Sequence, residues 1–200
     1  MNPIEARSRA GLLRRLDAFR RDREDLLEEL ALLEPAWLTA RPLAGKWSIL
    51  EIVEHLVLAE RSVFAHATEP SKLVPHERRP RHHFRRFAVR WTLRLKIPVS
   101  VPAREMEPHG ETSLAELRRL WEMDLAALLS CAEKLAEHLL RAPIFVHLVG
   151  GPLSFEEALD FGQIHFEGHL HQIRERLAAQ AATDSRSSSR QGSDSWWNLM

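Results

Sequence analysis

Apolar residues recur along this chain at intervals of three and four, the spacing of a helix with one face turned inward. From about Pro3 to Leu33 the stripe runs through Leu12, Leu16, Phe19, Leu26, Leu30 and Leu33, and Pro35 stops it. A second stretch carries Ile49, Ile52, Val53, Leu56, Val57 and Phe64. The third carries Leu114, Leu117, Trp121, Leu125, Leu128 and Leu135 and ends before Pro143, and the fourth carries Phe155, Leu159, Phe166, Leu170, Ile173 and Leu177. Serines open the last three, with Glu51 three residues after Ser48, Glu116 after Ser113 and Glu157 after Ser154. A hydroxyl and a carboxylate at that spacing bond each other's backbone amides, which have no partner inside the helix.

Four long amphipathic helices with little strand signal predict an all-α fold, a four-helix bundle. The first and second stretches, and the third and fourth, are joined by short links that favour antiparallel neighbours. The link from Thr68 to Glu111 is long enough to cross the whole bundle. The second and third helices can then run parallel, giving an up-down-down-up order with a long crossover. Residues 1–182 read as one domain. Past Ala182 the composition turns to Ser, Arg, Gln, Gly and Asp, which predicts a disordered tail over 183–200. Trp196 and Trp197 are unusual in such a tail and suit docking on a partner.

Composition narrows the function classes. Lys plus Arg and Asp plus Glu number 28 each, so no global charge draws the chain to nucleic acid, and no nucleic-acid partner is expected. The single cysteine, Cys131, excludes an internal disulfide framework, and its neighbours Leu128, Leu129 and Leu135 predict a buried, inert thiol. No apolar run approaches the roughly 18 residues of a spanning helix. The N-terminus lacks the apolar core of a signal peptide, so the cytoplasm is the expected location. A homodimer is compatible with all of this.

One segment departs from neutrality. Between His76 and Lys96 eight Lys and Arg residues face Glu77 alone, with Phe84, Phe87, Trp91 and Leu95 at helical spacing among them. The reading favoured by pattern is a basic helix laying its aromatic stripe across the bundle with arginines in solvent. The same shape serves at membrane surfaces and on nucleic acid, and it also suits a lid whose arginines pair with an anionic substrate.

The candidate chemistry lies in the histidines, of which there are 11. At that abundance an H-x3-H pair arises by chance about once in two such chains, so His165 and His169 alone say little. Position adds weight: on a helical wheel both project at the margin of the apolar face, with Ala158, Phe161, Gln172 and Arg176, while His171 points to solvent. On the second helix His55 sits beside the apolar stripe. Two faces meeting at a seam can present three imidazoles to one point. Such a set suits zinc, nickel, iron or copper, zinc and nickel foremost, and leaves a coordination position for water or a small-molecule substrate. Glu51, one turn before His55, and Gln172 are candidates to orient the rings. The alternative is three seam histidines bonded to carboxylates without metal. No general base is identified.

Gly45-Lys46-Trp47-Ser48 followed by Glu54-His55-Leu56 resembles the opening of the second helix in DinB/YfiT-like proteins. Gly151-Pro152-Leu153-Ser154, then His165 and His169 with Gln172-Ile173, resembles that family's last helix, and the likeness spans about Arg14 to Ala178. The resemblance implies a four-helix bundle with a metal held by His55, His165 and His169. It also implies a metal-dependent hydrolase, or a transferase using a low-molecular-weight thiol such as bacillithiol or mycothiol. Two other readings stay open: a non-catalytic metal-binding or interaction bundle, and a basic-surface binder of nucleic acid or membrane through 78–96.

Overall fold

The computed structural model describes residues 9–94 and 103–194. Pro3 to Ser8, Leu95, Lys96, Trp196 and Trp197, which entered the expectations above, lie outside them. The fold is all-α, with six α-helices and one small hairpin among the described residues. The helices are α1 (Arg9–Ala31), α2 (Pro35–Thr39), α3 (Ile49–Phe64), α4 (Pro80–Arg94), α5 (Leu114–Lys134) and α6 (Phe155–Asp194). No described helix is long and apolar enough to cross a membrane.

Capping chemistry sets where three of these helices begin. Ser48 and Glu51 form the full reciprocal pair at α3, and Ser154 and Glu157 do the same at α6, with Ser154 N donating to Glu157 at 2.8 Å. At α5 only half of it forms. Ser113 accepts from the amide of Glu116, while the Glu116 carboxylate turns to Arg119.

The four long helices pack as a ring, α1 against α5 and α6, and α3 against the same two. Their stripes meet in one core that includes Leu16, Leu30, Ile52, Leu56, Trp121 and Phe155, all nearly inaccessible. Cross-helix pairs give the relative sense. Arg15 meets Asp160 and Glu29 meets Arg174, so α1 and α6 run together. Phe19 stacks edge-on to Phe64, and Arg23 reaches Glu60, so α3 runs against α1. Thr112 meets Glu54 and Asp124 meets Arg61, so α3 and α5 run together.

Three features differ from the sequence pattern. First, Phe145–His147 and Gly151–Leu153 pair as a two-stranded antiparallel hairpin between α5 and α6, where no strand was expected. Three-residue strands are too short to show alternation. Gly151 takes a left-handed backbone (φ 76°) at the turn.

Second, α6 runs on past Ala182 to Asp194, over residues whose composition reads as a tail. Thr183, Ser185 and Arg186 bond carbonyls one turn back, and residues 181–186 are all exposed. Between Ala182 and Gly192 the chain meets no Pro or Gly that would break the helix.

Third, the basic helix α4 is turned the other way from the favoured reading. Arg86 is buried, donating to Glu157 at 2.8 Å, whereas Phe84, Phe87 and Trp91 face outward. Pairing one arginine with a carboxylate at the start of α6 set the roll of the helix, against its aromatic stripe.

Candidate metal centre

Helix α3 brings His55 to the seam with α6, where His165 and His169 stand one turn apart. The three rings offer ligand atoms all within 4.8 Å of one another, and among the described residues they form a group able to hold a metal ion. His165 Nε2 lies 3.3 Å from His55 Nε2 and 3.0 Å from His169 Nε2.

The far side of two rings explains why Nε2 points inward. His55 Nδ1 lies 2.8 Å from the carbonyl of Met106, and a carbonyl only accepts, so the ring donates there and keeps its Nε2 lone pair free. His169 Nδ1 lies 3.1 Å from Gln172 Oε1 and is fixed in the same sense. With two inward lone pairs fixed in this way, either a proton on His165 Nε2 or a cation lies between the rings. A tetrahedral zinc with bonds of about 2.0–2.1 Å sets its nitrogen ligands roughly 3.3 Å apart. The donor set fits such an ion.

Burial keeps these rings neutral. Desolvation, helped by the neighbouring His169 and His55, holds His165 well below the usual imidazole range. Desolvation and His55 lower His169 to about 4, with the Gln172 bond opposing. His55 is also lowered by burial, against the raising effect of the Met106 bond. Neutral imidazole is the form that ligates metals.

Of the two residues expected to orient the rings, Gln172 contacts His169, and the contacts of Glu51 are to Ser48 and Arg41. The Glu51 carboxylate accepts from Ser48 N and from Arg41 at 2.5 and 3.1 Å. Burial disfavours its charge, but these bonds outweigh that and lower its pKa. The partner of His55 is instead a backbone carbonyl, which no sequence pattern marks.

That carbonyl is itself held. The 3₁₀ turn Arg104–Met106 packs on α3, and the loop after it is tied down by the buried Glu54. Glu54 accepts from His109 N at 3.0 Å, Gly110 N at 2.7 Å and Thr112 Oγ1 at 3.0 Å. Gly110 (φ 74°) supplies the left-handed turn that aims both amides at one oxygen. Neighbours in sequence, Glu54 and His55 thus act on the same loop.

Three more groups complete the surroundings. Trp47 lies 5.0 Å from the His55 ring and 6.5 Å from that of His169, anchored by Arg176, which donates to its carbonyl. Below the histidines, Arg23 is wholly buried. It donates to Glu60 at 2.8 Å and to Gln163 at 2.8 Å, and stacks on Phe19 and Phe166. His147, on the hairpin, is close enough for its charge to lower His165. Its Nδ1 accepts from the amides of Val149 and Gly150, so its proton sits on Nε2. Sequence reading missed His147 because its hairpin carried no signal, and missed Glu54 because a carboxylate beside a stripe usually reads as solvated.

No curated protein and no solved structure matches this chain. A family model does, that of the DinB superfamily, over residues 18–173, a span that takes in all of α3 and α5, parts of α1 and α6, and all three inward-facing histidines. With the fold and the match in agreement over most of its length, the chain belongs to the DinB superfamily.

Proposed function

We propose that His55, His165 and His169 hold one divalent transition metal, zinc or nickel, in a cytoplasmic enzyme acting on a small molecule. The reaction is a metal-dependent hydrolysis or the transfer of a low-molecular-weight thiol. The observation that carries this is the convergence of three Nε2 atoms, with the opposite nitrogens of His55 and His169 committed to Met106 and Gln172. Three protein ligands leave a position open, as in catalytic rather than structural zinc sites. A bound divalent ion supplies Lewis acidity at that position.

The chain's own residues do the positioning. Met106 and Gln172 hold the N–H of His55 and His169, so each ring meets the ion in a single tautomer. Trp47 lies against the rings of both His55 and His169. The Arg23–Glu60–Trp121 network beneath them fixes the relative height of α1, α3 and α5. Cys131, the single cysteine, is fully buried and pushed up to about 11 by desolvation. A thiolate reacting here therefore comes from a small-molecule co-substrate.

Metal analysis of untagged protein, purified without nickel resin, tests the reading. We expect about one equivalent of bound metal, lost in a His55→Ala/His165→Ala variant. Equal metal in that variant defeats the proposal. Assay of the loaded protein with several low-molecular-weight thiols and with simple esters and amides then separates transferase, hydrolase and passive binder.

A further inference from the structure

Helix α4 presents its most apolar side chains to solvent. Phe84, Phe87 and Trp91 are 75%, 62% and 47% exposed, with the last two rings 5.9 Å apart. At about 100° per residue the three project within roughly 60° of one another, opposite the face that packs on the protein through His82, Arg86 and Val89. Arg81 and Arg85 lie on one flank of this stripe and Arg90 on the other, all exposed. The helix contains no Asp or Glu.

We propose that this face docks on the surface of an anionic phospholipid bilayer. The aromatic rings enter the headgroup boundary, and the flanking arginines meet lipid phosphates on either side. Charge argues against a second copy of the chain, since pairing this helix with itself sets arginines against arginines with no carboxylate in either. Shape argues against single-stranded nucleic acid, which binds in a basic groove lined by stacking rings, whereas this surface is the convex side of one helix. The fold leaves Arg81, Arg85 and Arg90 outward while it spends Arg86 on Glu157. The outward charge is thus separate from the pair that holds the helix on the protein.

The test is co-sedimentation of the full chain with vesicles of phosphatidylcholine alone and of phosphatidylcholine mixed with phosphatidylglycerol. We expect association with the mixed vesicles only, weakening as salt shortens the screening length. Phe84→Ser/Phe87→Ser/Trp91→Ser alters only exposed positions, so circular dichroism and metal content should be unchanged while vesicle binding falls at least about tenfold. Replacing Arg81, Arg85 and Arg90 by Gln one at a time should cost about fivefold each, and Trp91→Phe should retain binding. The proposal is overturned if mixed vesicles do not bind at low salt, or if the triple variant binds them equally well. It is also overturned if light scattering shows a dimer that the triple variant dissolves, or if the face captures single-stranded oligonucleotide and not vesicles.

Discussion

Two nitrogens, one on His55 and one on His169, have their directions set by acceptors on the far side of the ring, and this is where substitutions should speak most clearly. Gln172→Ala removes the Oε1 that His169 Nδ1 addresses. Metal affinity should fall about 10–100-fold without loss of helix, as read by competition against a chromophoric chelator; unchanged affinity would show that the bond orients nothing. Acid should act on the metal-free protein through the same rings. Their folded pKa values lie below the ordinary value of 6.5, with His169 at about 4. Above that ordinary value both folded and unfolded chains are neutral here, so these groups contribute no pH dependence. As pH falls through it, the unfolded chain takes up protons that the folded one refuses, and stability drops until the folded groups titrate in turn. Urea melts of chelated protein between about pH 7.5 and pH 4.5 should show this loss, and it should be shallower in His165→Ala. Equal slopes would mean that the cluster does not carry it.

Among elements, the crossing of α1 and α6 is the most tightly specified. A Cβ on Gly162 would stand 2.9 Å from the Phe19 ring, which is buried and capped by the Arg23 guanidinium. One on Gly168, six residues along the same helix, would meet nothing within 4 Å. Gly168→Ala should therefore stabilise by about 0.5–1 kcal/mol through backbone entropy. Gly162→Ala gains the same term and loses more, about 1–3 kcal/mol, by overpacking. Chemical denaturation of the pair should give opposite signs, and two stabilising results would contradict the close approach. Arg23 joins the same crossing to α3. Arg23→Met leaves Glu60 buried beside Trp121 with both guanidinium donors gone, a change expected to cost about 3–5 kcal/mol. Adding Glu60→Leu should recover much of that, and an additive further loss would count against the ion pair as the cause.

Across the whole molecule, what could be read from residue order was whatever repeats locally. Apolar spacing and serine caps located α3, α5 and α6 to within a residue at their starts, because both signals act inside one turn. The same reach of one turn linked His165 with His169, and the wheel of α3 added His55. What escaped depends on partners distant in the chain. Glu157 rolled α4 over, Glu54 collected amides from a loop more than fifty residues away, and Met106 contributed a carbonyl that every residue type possesses. The last of these has a dynamic corollary. Because the ring nitrogen of His55 and the Met106 carbonyl share one proton, immobilising the ring from its other side also restrains the segment that follows. Cation uptake should then slow deuterium incorporation at the His109 and Gly110 amides, some way along the chain from any ligand. The long connection would act as a built-in reporter of occupancy, legible by mass spectrometry in a protein whose substrate need not be known.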